Sequence, residues 1–130
     1  MTNIEKKIVE LLPRLIEIRH DIHAHPELGY SEHRTAETIQ SFLKEHDIPF
    51  ANNLAGGTGT LAYIKGNSKQ SVGLRADIDA LPITEENTFN YKSKIDGRMH
   101  ACGHDGHTTM LLGTAAILSD LAKEEPLPNS

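Results

Sequence analysis

The 130-residue chain has one cysteine, no tryptophan and an aromatic content of only 5%. A single thiol cannot close an internal disulfide, so nothing in the sequence asks for an oxidising compartment. With so few aromatic rings, a core has to be built from Leu, Ile, Val and Ala, and the length is enough for one such core and one domain. Positive charge is also short: 13 Lys and Arg stand against 18 Asp and Glu, a net charge of −5. That excludes nucleic acid and anionic membrane as main partners, since both need a basic surface. No apolar run approaches the roughly 20 residues of a membrane span. The N-terminal MTNIEKKIVELL mixes charge with apolar residues and lacks the apolar stretch of a signal peptide. These absences lead to the expectation of a cytoplasmic protein.

What is present is helical periodicity at both ends of the chain and turn chemistry between. Ile4, Ile8, Leu11, Leu12, Leu15, Ile18 and Ile22 recur at three- and four-residue steps, which predicts a helix over residues 3–22. Pro13 either kinks it or lies in the first turn of a helix that begins near Leu12. A second helix is expected over 31–45, with Ser31 as N-cap and Ala36, Ile39, Phe42 and Leu43 as its buried stripe. ANNLAGGTG reads as a loop, TLAYIKG as a strand, GNSKQ as a hairpin-like turn and SVGLRADID as the next strand. In that last segment Val72, Leu74 and Ala76 share one face, with Arg75, Asp77 and Asp79 on the other. ALPITEENTFNYKSKIDGRM is polar and expected to be irregular. A third helix, from His107 or Thr108 to Lys123, is apolar around most of its girth, which predicts burial on more than one side. Two helices, then strands, then a buried helix fit an α/β or α+β layer fold.

Three clusters bear chemistry. MHACGHDGH holds the only cysteine and three of the eight histidines. Cys102 and His104 are two apart, so in an extended segment their side chains share one side, and a thiolate with an imidazole there suits a metal ion. The spacing alone leaves open a small buried cysteine among loop histidines. Asp77 and Asp79 read either as metal-binding or ligand-orienting carboxylates, or as an ion pair with Arg75 plus a turn before Pro82. In HDIHAHPE, His20 and His23 could share a helix face. The sequence offers them no nearby thiol or clear acidic partner, which favours a hydrogen-bonded helix end that includes Glu27. GGTGT lacks the ending of a phosphate loop and precedes a strand, and no G-x-S-x-G elbow is present.

Taken in order, RHDIHAHPELGYSEHRTAETI, GGTGT, GLRADIDALPITE and GRMHACGHDGHTTMLLGTAAIL resemble one family. It is the metal-dependent amidohydrolases of the aminoacylase-like metallopeptidase superfamily, in the branch of hippurate hydrolases, N-acyl-amino-acid deacetylases and auxin-conjugate hydrolases. The resemblance runs from about Leu15 to Leu121. It implies an α/β fold, with residues 1–130 as the N-terminal part of a metal-binding catalytic domain: two helices, strands of a mixed sheet, a buried helix and no lid domain. It makes Cys102 and His104 ligands of a site for two divalent ions (Mn, Zn, Ni or Co), with Asp79 behind them and Asp77 nearby. It leaves His23, Pro26 and Glu27 as a structural signature. The implied reaction is hydrolysis of the amide bond of an N-acyl amino acid. In that family the general-base glutamate and further ligands come later, so the 130 residues alone are expected to be inactive and to self-associate through bared apolar surface. Glu124 and Glu125 do not take over the base role. The alternative is a non-catalytic α/β module that binds metal weakly or serves in interaction.

Overall fold

In the computed structural model, which describes all 130 residues, the first helix, α1, spans Asn3–Ala24. Its start is set by a reciprocal cap: Glu5 N–H donates to Thr2 Oγ1 (3.2 Å) and Thr2 N–H donates to Glu5 Oε2 (2.6 Å). Pro13 lies inside the helix and neither stops nor restarts it. Its ring is exposed, so water can reach the Val9 carbonyl that loses its partner. Only part of the expected apolar face is used. Ile18 and Ile22 enter the core and Leu11 and Leu15 pack against it, while Ile4, Ile8 and Leu12 remain 43–48% exposed.

The second helix, α2, spans His33–Glu45 and starts two residues later than expected. Ser31 does not cap it. Glu27 reaches across instead, accepting from Arg34 N–H (2.9 Å), Thr35 N–H (2.7 Å) and the Thr35 hydroxyl (2.7 Å). A carboxylate on free amides at the positive end of a helix satisfies both hydrogen bonding and the dipole. Ala36, Ile39, Phe42 and Leu43 are buried as the pattern predicts. Ile39, Phe42 and Leu43 form the centre of the core with Ile18, Ile22, Ile48, Leu112 and Ala116.

A short antiparallel pair follows: β1 (Phe50–Leu54) and β2 (Gly59–Ala62), in register Phe50↔Ala62, joined through a 3-10 turn at Ala55–Gly57. The segment 71–79 is not the strand that its alternation suggests. No amide from Gly73 to Asp79 makes a backbone hydrogen bond, because no strand lies beside it to complete a ladder. The region from Leu81 to Met99 is irregular, as expected, and is pinned at a few points. Leu81 and Met99 exchange backbone bonds (2.9 and 3.0 Å), and Lys94 N–H donates to Ala24 O (2.8 Å).

The third helix, α3, spans His104–Glu124, starting three residues before His107. Its fully buried side is one face, Asp105, Thr108, Thr109, Leu112, Gly113 and Ala116, and Leu111, Ile117, Leu118 and Leu121 are half-buried. The expected burial on several sides is therefore partial. Gly113 sets the crossing with α1: a Cβ there would stand 2.7 Å from Leu15 Cδ1. No helix is long and apolar enough to cross a membrane.

Candidate metal centre

Asp79 is placed by the backbone on its C-terminal side. Ala80 N–H donates to Glu27 O (2.8 Å) and Leu81 bridges to Met99, which ties the end of the 71–79 segment both to the α1–α2 connection and to the start of MHACGHDGH. This brings Asp79 to the head of α3. His104 Nδ1 donates to Asp79 Oδ1 (3.0 Å) and lies equally close to the Asp79 carbonyl oxygen (3.0 Å). Two acceptors on one nitrogen fix the proton there, so a neutral ring keeps its lone pair on Nε2. Nε2 makes no hydrogen bond within the chain. A ligand histidine is held in this way, with its far nitrogen on a carboxylate and its near nitrogen free for a cation.

Cys102 is free and exposed, which removes the picture of a small buried cysteine. Residues 101–103 form a turn, with Gly103 left-handed at φ 86°, and His104 is the first residue of α3. The extended geometry expected for the Cys102–His104 pair is therefore replaced by a turn leading into a helix. Both donors fit a divalent metal chemically, a soft thiolate and an imidazole with a free nitrogen. No group of three His, Cys, Asp or Glu side chains comes together as a metal site within the chain.

Asp77 stands apart from this arrangement. It pairs with Arg75 at 2.6 Å on an exposed surface, the ion pair that the sequence left open. Its carbonyl accepts from the Thr108 hydroxyl (3.2 Å). A cleft of ≈ 490 Å³ opens here; its lining includes Asp77 and Asp79 but neither Cys102 nor His104.

The histidines of HDIHAHPE have partners that the sequence did not reveal. His25 bonds the Asp21 carbonyl (2.8 Å), and His20 stacks on Tyr91 with ring centres 3.7 Å apart. His23 is buried between two carboxylates, with Nδ1 on Asp105 Oδ2 (2.8 Å) and Nε2 on Glu85 Oε1 (2.8 Å). These acids lie 82 and 62 residues away along the chain, beyond the reach of any local spacing rule. Arg19 Nε adds a second donor to Asp105 Oδ2 (3.2 Å). Burial pushes the Glu85 carboxyl up, but hydrogen bonds from His23, Asn87 and the Ser93 amide outweigh it and leave it below its ordinary value. His100, also buried, has neither ring nitrogen bonded, and burial drives it below the usual imidazole range.

The chain is similar to known proteins in sequence and in fold. Residues 73–130 match the peptidase family M20/M25/M40. The resemblance extends beyond these residues: the N-acetylcysteine deacetylase of Bacillus subtilis is 46% identical over 112 residues, covering 85% of this chain and 30% of that protein. An IAA-amino acid hydrolase of Arabidopsis thaliana is 42% identical over 130 residues, 95% of this chain and 30% of that protein. Among solved structures, a Bacillus subtilis protein described as a dinuclear metal binding peptidase of the M20 family superposes with a TM-score of 0.81 at 43% identity, covering 86% of this chain and 32% of that one. A putative aminohydrolase from methicillin-resistant Staphylococcus aureus superposes with a TM-score of 0.86 at 37% identity, covering 95% and 33%. The α/β fold class is thus that of the M20 peptidases, and the chain spans about 30% of the length of the curated relatives it matches.

Proposed function

We propose that residues 1–130 belong to the catalytic domain of a metal-dependent amidohydrolase, with Cys102 and His104 as donors to a two-metal centre. The observation that carries this is the His104 ring, held at Nδ1 by Asp79 with Nε2 free, two residues from an exposed thiol. The chemistry that bound divalent ions supply is polarisation of an amide carbonyl and acidification of a water molecule. The chain's part is to present the donors: Asp79 fixes the ring of His104, and the turn at Gly103 brings Cys102 to the head of α3. The substrate class is an N-acyl amino acid. Support comes from relatives whose names describe amide conjugates of amino acids, N-acetylcysteine and IAA-amino acids.

Two donors fall short of the four or more that zinc or manganese takes. The 130 residues by themselves therefore hold metal weakly and turn over little or no N-acyl amino acid. The same reading has them self-associate through the uncovered side of α3, where Met110 is 63% exposed, and a clean monomer in sedimentation at tens of micromolar counts against that part. The metal assignment is tested by equilibrium dialysis against manganese or zinc. Cys102→Ser and His104→Ala should each reduce uptake strongly, and Asp79→Asn by about 10–100-fold. Uptake unchanged in all three variants refutes it.

A further inference from the structure

The first turn of α3 lacks a cap of its own: Gly103 precedes it in a left-handed conformation and offers no side-chain hydrogen bond. The turn is held from outside at two consecutive residues. His104 is held by Asp79. Asp105 is held by α1, through His23 Nδ1 (2.8 Å) and Arg19 Nε (3.2 Å) on the same oxygen. Its carbonyl also accepts from the Thr109 hydroxyl (2.7 Å), which keeps Asp105 within regular helix.

The side chains at the centre of this contact are dry, with Asp105 1%, Glu85 2% and His23 5% exposed. Both nitrogens of His23 face carboxylate oxygens, so the ring is anchored at both ends. Successive residues on a helix project about 100° apart. Rotation of the first turn that frees Asp105 from His23 therefore swings His104 away from Asp79.

We infer that His23 is a positioning residue for His104. Through Asp105 it holds the head of α3 at the rotation in which His104 Nδ1 meets Asp79 and Nε2 is left for a cation. The role of that Nε2 rests on the function proposed above, but the positioning is a property of the metal-free chain.

The test is ¹⁵N NMR of the histidine rings in metal-free protein, with the His104 signals assigned by their loss in His104→Ala. Wild type should show His104 as the Nδ1–H form. The two amide replacements of His23 separate its two contacts. An asparagine amide nitrogen falls near the position of Nδ1 and a glutamine amide nitrogen near that of Nε2. His23→Asn should keep His104 as in wild type. His23→Gln should lose the Nδ1–H preference while circular dichroism stays unchanged. Glu85→Ala, which removes only the other contact, should leave His104 alone. Retention of the wild-type ring signals in His23→Gln, or identical behaviour of the Asn and Gln variants, overturns the inference. If His23→Gln does not fold, Asp105→Ser decides: it is too short to reach His23, and an unmoved His104 overturns the inference. Metal uptake unchanged in Cys102→Ser, His104→Ala and Asp79→Asn sinks the metal assignment and leaves this ring measurement to stand or fall by itself.

Discussion

The cluster under the head of α3 and the segment 71–79 both place acids beside an arginine, and they handle them in opposite ways. In the first, Asp105 and Glu85 are dry and every charged group has a partner within 3.2 Å. In the second, Arg75 and Asp77 form the shortest ion pair of the two regions, at 2.6 Å, yet the arginine side chain is 85% exposed and the amides around it make no backbone hydrogen bond. Distance therefore does not rank the two. Removal of water does, because a buried charge has no solvent to fall back on when its partner leaves. His104 and Asp79 lie where these regions meet, one beside the dry cluster and one at the end of the exposed segment.

The largest expected effect comes from breaking the dry cluster. Asp105→Ala leaves His23 and Arg19 without their shared acceptor and should cost about 3–5 kcal/mol, read from urea unfolding. A loss below about 1 kcal/mol would erase the contrast between the regions. The next effect is on the acid side of neutrality. Glu85 and Asp21 both lie below their ordinary values, 4.5 and 3.8, Asp21 because Arg34 hydrogen-bonds it. With folded values below unfolded ones, the unfolded chain binds more protons in acid. The stabilisation is present above about pH 4.5 and is lost as pH falls through the folded values. Unfolding midpoints should drop over that range, and Glu85→Gln should shallow the drop. The smallest effect is at Arg75→Ala, which should change stability by less than about 1 kcal/mol, because exposed pairs contribute little.

The three helices were legible in the sequence because apolar residues at helical spacing must face a core, and Ile18, Ile22, Ile39, Phe42 and Leu112 do. The start of α3 was not, since its first turn is buried through a polar residue, Asp105, which an apolar pattern passes over. The alternation in 71–79 states which residues would share a face of a sheet, but not whether a neighbouring strand exists. The acid partners of His23 were invisible for a different reason: they arrive from the 81–99 region and from α3, through folding rather than spacing. The Asp79–His104 contact was reachable through family resemblance and not from either motif by itself.

The most direct test of the account is cobalt(II) added in excess to the 130-residue chain under reducing conditions, followed in the near ultraviolet. A thiolate from Cys102 beside the His104 imidazole should give a sulfur-to-cobalt charge-transfer band that disappears in Cys102→Ser and weakens in His104→Ala. A cobalt spectrum without that band, or one that survives Cys102→Ser, contradicts the assignment of the metal centre.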